Sequence, residues 1–160
     1  MKITEKKWFG FVALSVVMIV IMILRPPVFY LNDDVTMRSI LSGAYTGIPD
    51  GHAVYMKYPL TGVLALLYRV LGVVPWMELL FAISILLCMY FFAECFASRL
   101  MGSALALGIY MPFVLYMHYT LVAALLAATA IFLLLKEDKG IKAWVLLLLS
   151  FLIRSQVGLL

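Results

Sequence analysis

Two adjacent carboxylates, Asp33 and Asp34, follow Asn32 shortly after an apolar run that ends at Leu24. Beside a membrane such a pair is costly unless it is solvated, paired or used. The chemistry it offers is proton transfer: one carboxylate takes the proton of an acceptor hydroxyl, while the other orients that hydroxyl or holds a divalent cation through oxygen ligands. A structural role competes with this one. Asn32 or Asp33 could cap the helix that follows, accepting its free N–H groups and matching its positive end. The two roles coexist if one aspartate caps while the other works.

Further along the same polar stretch stand Asp50, His52, Lys57 and Tyr58. Asp50 belongs with Pro49 and Gly51 to a solvated turn. His52, Lys57 and Tyr58 are candidates for substrate contact. These groups lack the spacing of a zinc site, and no Ser-His-Asp order is readable. No metal is assigned, although a divalent cation at Asp33 and Asp34 stays open. His118, in the polar trio His118-Tyr119-Thr120, is a further candidate. Arg154 lies 12 residues beyond Lys142, about 18 Å along a helix, which places it past a bilayer midplane. Its guanidinium either grips a phosphate of a lipid-borne substrate or snorkels to the interface. Glu78 and Glu94 sit at span ends and read as interfacial.

The elements that must position these groups are apolar. Hydrophobic residues make up 66% of the chain, charged residues 12%, and the mean hydropathy is +1.13, well above an ordinary soluble domain. A soluble bundle would need a polar face on every helix, and 79–92 and 121–135 are apolar all round. Basic residues are scattered in no dense stripe, which argues against nucleic-acid binding despite a net charge of +4. Cys88 and Cys95, seven positions apart on one helix, are about 10 Å apart along its axis, too far to bridge.

The sequence predicts an all-α, polytopic transmembrane bundle of about five spans: Trp8–Leu24, Trp76–Ala97, Ser103–Met117, Tyr119–Leu135 and Ala143–Leu160. Arg25, Pro26 and Pro27 stop the first. The 33 residues from Ser103 to Leu135 overshoot a bilayer, so they must turn, at Pro112 and the trio that follows. Between the first two spans, residues 30–74 form a loop carrying short amphipathic helices. Met37, Ile40, Leu41 and Ala44 share the helical spacing, so one helix begins near Asp34 and stops at Gly43 or Gly47. Leu60–Val74, with Arg69, reads as an interfacial helix.

Counting Lys and Arg on alternate sides places the N-terminus in the cytoplasm of a multi-pass cell-membrane protein. Seven of the twelve basic residues, Lys2, Lys6, Lys7, Arg99, Lys136, Lys139 and Lys142, then lie inside. The polar loop and His118 face outward. An apolar final segment without a polar tail suggests the front part of a longer chain.

In order of parts the chain resembles the membrane glycosyltransferases of the GT-C superfamily. Asn32-Asp33-Asp34 stands after the first span, Lys57-Tyr58-Pro59-Leu60 enters a helix with Leu66-Leu67-Tyr68-Arg69-Val70-Leu71-Gly72, and a later span ends in Ala97-Ser98-Arg99-Leu100-Met101-Gly102. His118-Tyr119-Thr120 takes the place of the polar outer turn. The resemblance implies a catalytic carboxylate at Asp33 or Asp34 and a lipid-linked sugar donor, its carrier a polyprenyl phosphate or pyrophosphate. The leading expectation is therefore a glycosyltransferase, or its N-terminal half, acting on the extracytoplasmic face with membrane lipid around it. A transporter or flippase component and a non-catalytic membrane subunit are the alternatives.

Overall fold

The computed structural model describes residues 7–29, 31–136 and 140–158; Lys2, Lys6 and Lys139 lie outside them. The described chain is all-helical apart from one two-residue bridge. The helices are α1 (Lys7–Leu24), α2 (Asn32–Ser42), α3 (Tyr58–Val70), α4 (Trp76–Glu94), α5 (Arg99–Leu115), α6 (Tyr119–Leu135), α7 (Ile141–Ile153) and α8 (Ser155–Gly158). The bridge joins β1 (Val28–Phe29) to β2 (Tyr116–Met117) in parallel, with Val28 opposite Tyr116 and Phe29 opposite Met117.

Among the described residues only α4, 19 residues long, is both long and apolar enough to cross a bilayer by itself. Of the five segments expected as spans, Trp8–Leu24, Ser103–Met117 and Tyr119–Leu135 correspond to helices α1, α5 and α6 of similar or greater length, whereas the one expected to reach Ala97 ends at Glu94 and the one expected from Ala143 breaks after Ile153. Backbone breaks set these bounds. Pro26 and Pro27 end α1, the β2 segment separates α5 from α6, and Arg154 adopts an extended conformation (φ −152°, ψ 104°) that separates α7 from α8. Pro112 does not make the turn assigned to it. It sits in the last turn of α5, where its missing N–H costs only a bond to the Gly108 carbonyl, and the chain reverses at Tyr116-Met117-His118.

α1, α4, α5, α6 and α7 share one core. Leu14 of α1, Phe81, Ile85 and Met89 of α4, Val114 of α5, Leu126 of α6 and Leu146 of α7 are all at most 1% exposed. Truncating one such side chain, as in Phe81→Ala, typically costs about 3–5 kcal/mol in lost packing. Small residues set the closest approaches. A Cβ on Gly102 would stand 2.6 Å from the Ala93 carbonyl oxygen, so α5 meets the end of α4 nearly backbone to backbone. Ser150 donates across the α6–α7 seam to the Ala123 carbonyl at 2.8 Å, and the hydroxyls of Tyr110 and Thr129 tie α5 to α6 at 2.9 Å.

α2 buries Met37 and Leu41 completely, Ile40 partly, and leaves Ala44 exposed because the helix has already ended. It ends at Gly43, whose φ of 80° is left-handed and suits a residue without Cβ. At the other end neither Asn32 nor Asp33 caps it. The cap position is Leu31, with extended backbone and no side-chain bond, so the capping role expected for Asn32 or Asp33 is not realised.

Candidate active site at the polar end of the bundle

The ends of α1, α5 and α7 and the starts of α2, α4 and α6 meet at one end of the bundle, and the predicted site residues are gathered there. The β1–β2 bridge is what brings Asn32-Asp33-Asp34 to the α5–α6 junction. It fixes residues 28–29 beside 116–117, so α2, which begins three residues after Phe29, lies against His118.

Asp34 is completely buried. Its Oδ2 accepts from His118 Nδ1 at 2.8 Å and its Oδ1 accepts from the backbone N–H of Tyr119 at 2.9 Å. Tyr119 is the first residue of α6, and the helix has no side-chain cap of its own. Asp34 therefore does cap a helix, but α6 and not α2, placing its oxygen where the first free N–H and the positive end of α6 both favour it. Burial pushes its carboxyl above the ordinary carboxylate value, opposed in part by the Tyr119 N–H and then by the His118 ring.

Asp33, next in the chain, is half-buried and makes no hydrogen bond or ion pair among the described residues. The two carboxylates thus have opposite surroundings. One is spent on the fold and the other is open. Among the described residues no group of three or more His, Cys, Asp or Glu side chains could hold a metal ion.

Arg154 reaches the same junction from the break after α7. Its guanidinium lies over the Tyr119 ring at 5.2 Å from the centroid and donates to the hydroxyls of Tyr119, at 3.2 Å, and Thr120. It also donates to Gln156 at 3.2 Å. The sequence placed this arginine inside a continuous helix; it occupies instead the extended joint, where the chain is free to aim it along the α6 terminus. Tyr55 closes the stack, its ring parallel to Tyr119 at 5.4 Å. Lys57 fixes this part of the loop through its backbone, donating to the Leu152 carbonyl at 2.8 Å, and its side chain is exposed.

His52 forms a separate, exposed cluster. Its ring nitrogen is 2.7 Å from Asp50 Oδ1, its backbone N–H donates to the same oxygen at 3.0 Å, and its ring leans on Tyr58 at 5.0 Å. These bonds hold the Asp50 carboxyl below its usual range. Among the described residues no hydrogen bond, ion pair or ring contact joins this cluster to Asp34.

Of the candidates, Asp33, Asp34, His118 and Arg154 are brought together, while His52, Lys57 and Tyr58 stand on the neighbouring loop. Tyr55 is the member that the sequence did not mark; as one aromatic among nine tyrosines it carried no signal. Glu78 is not merely interfacial either. It pairs with Arg38 at 2.7 Å, and its Oε2 is buried with no hydrogen bond. At the opposite end of α4, Glu94 gathers Tyr90 at 2.9 Å, Lys142 at 3.1 Å and Arg99 at 3.7 Å. No family model, curated protein or solved structure matches the chain.

Proposed function

We propose that this chain is a membrane glycosyltransferase, or the N-terminal portion of one, which moves a sugar from a polyprenyl-phosphate carrier to an acceptor on the extracytoplasmic face. In this reading α1, α4, α5, α6 and the α7–α8 pair cross the bilayer, with α2 and α3 at the outer surface. The outer faces of these helices support it. Ile19, Val20 and Ile23 of α1, Leu105 and Ile109 of α5, Ile131 of α6 and Val145 and Leu148 of α7 are all more than 40% exposed, far more apolar surface than a water-soluble monomer presents. Helices of 17 residues reach about 26 Å, within reach of a bilayer core of about 30 Å when flanking residues snorkel or the bilayer thins.

The observation that carries the catalytic assignment is the difference between the two aspartates. Asp33 is the open carboxylate and takes the proton of the acceptor hydroxyl. Asp34 positions it by locking α2 to the start of α6. Arg154, stacked on Tyr119, offers its remaining donors to the carrier phosphate. The test is sugar transfer from a polyprenyl-phosphate donor by the protein in proteoliposomes. Asp33→Asn should lower kcat about 100-fold or more with the fold intact. Unchanged transfer by a normally inserted Asp33→Asn protein would remove the assignment. Sidedness has its own check. Val35 is 48% exposed one residue past the pair, so a cysteine placed there, in a protein with Cys88 and Cys95 replaced, should react with an impermeant reagent on intact cells.

A further inference from the structure

Away from the candidate active site, a trough of about 690 Å³ runs along the outside of the bundle between α1 and α5. Its long part is apolar, with Ile21 on one wall and Met111 and Leu115 on the other. Its floor opens at Gly108, where an added Cβ would meet nothing within 4 Å. One end is different. Arg25 and Tyr116 both line it there, both are exposed, and neither side chain makes a hydrogen bond or ion pair among the described residues.

From the membrane placement proposed above, we infer that this trough holds one anionic phospholipid of the outer leaflet, its phosphodiester on the Arg25 guanidinium and Tyr116 hydroxyl and an acyl chain along Gly108. Charge carries the choice of ligand. Among the described residues Arg25 is the one charged residue lining the trough, and its planar fork suits phosphate oxygens. Length agrees with it. From Tyr116 back to Gly108 the helix rises about 12 Å, close to the depth of one leaflet in a hydrocarbon core of about 30 Å. The lining explains why the occupant is a resident lipid and not the sugar donor. None of Asp33, Asp34, His118 and Arg154 borders the trough, so a headgroup held at Arg25 meets no reacting group.

The probe is a phosphatidylglycerol with one fluorescent acyl chain, added to the full chain in phosphatidylcholine nanodiscs, with fluorescent phosphatidylcholine as the neutral control. The protein should retain the anionic lipid at least tenfold better than the neutral one. Arg25→Gln should remove that preference, and Gly108→Trp, which fills open space without touching the core, should lower retention of the anionic probe about tenfold. Leu66→Trp, on the exposed face of α3, should change nothing. Equal retention of both lipids, or wild-type retention by both trough variants, overturns the inference. So does displacement of the probe by polyprenyl phosphate at lower concentration than by phosphatidylglycerol, which would give the trough to the donor. A chain stripped from membranes by alkaline carbonate would refute the membrane placement itself; one that stays inserted but shows no lipid preference would refute only the trough.

Discussion

Replacing Asp34 tests the central structural claim, because its two oxygens serve two different partners. In Asp34→Ala the Tyr119 N–H and the His118 ring nitrogen, now 2.9 and 2.8 Å from an acceptor, both lose it in a buried place. Each buried donor left without a partner costs about 1–3 kcal/mol, so the variant should lose about 3 kcal/mol. Asp34→Asn keeps an oxygen for the Tyr119 N–H and should lose no more than about 1 kcal/mol. The assay is reversible unfolding in mixed micelles, read by circular dichroism, with His118→Ala measured alone and combined. The double mutant should fall short of the sum of the singles by about 1–2 kcal/mol, since the pair shares one bond. If Asp34→Ala stays within about 0.5 kcal/mol of wild type, or the two losses simply add, the locking role fails. Asp34 would then be no more tied to the fold than its neighbour.

Acidity gives a second check. Because burial raises the Asp34 carboxyl above 3.8, the fold favours its protonated form; the stability this brings is present below the unfolded value and lost as pH rises through the folded one. The stability of wild type relative to Asp34→Asn should therefore fall as pH rises above about 4, by titration of the unfolding midpoint at each pH. At Gly102, a Val side chain would drive into the Ala93 backbone, and Gly102→Val should cost about 1–3 kcal/mol by overpacking in the same unfolding assay. Arg154→Lys keeps the charge but not the stacked fork over Tyr119, so it should raise the donor KM several-fold in the transfer assay and leave folding within about 1 kcal/mol.

The local features were legible where one residue type decides them. Gly43 stops α2 because it takes a left-handed conformation, Trp76 opens α4, and Met37 and Leu41 form the buried face that their spacing announced. What could not be read was long-range. The β1–β2 bridge is two residues per strand, too short for any alternation to appear, yet it decides which helix Asp34 caps. The partner of Asp34 is 84 residues away, and nothing in Asn32-Asp33-Asp34 itself distinguishes capping its own helix from capping another. Pro112 misled for a related reason: near the end of a helix the bond it forfeits is one of few, so the helix continues through it. Arg154 misled because the extended joint that holds it lies inside an unbroken apolar run.

That separation along the chain also has a consequence for biosynthesis. At about 5–20 residues per second, the 84 residues between Asp34 and His118 leave the nascent aspartate without its partner for about 4–17 s. During this interval α2 has no anchor on α6, and the segment waits until the two-residue bridge has closed. Maturation of this junction is thus tied to the emergence of the fourth long helix from the ribosome. A stall before that point would leave Asp34 without its two partners and the start of α6 uncapped.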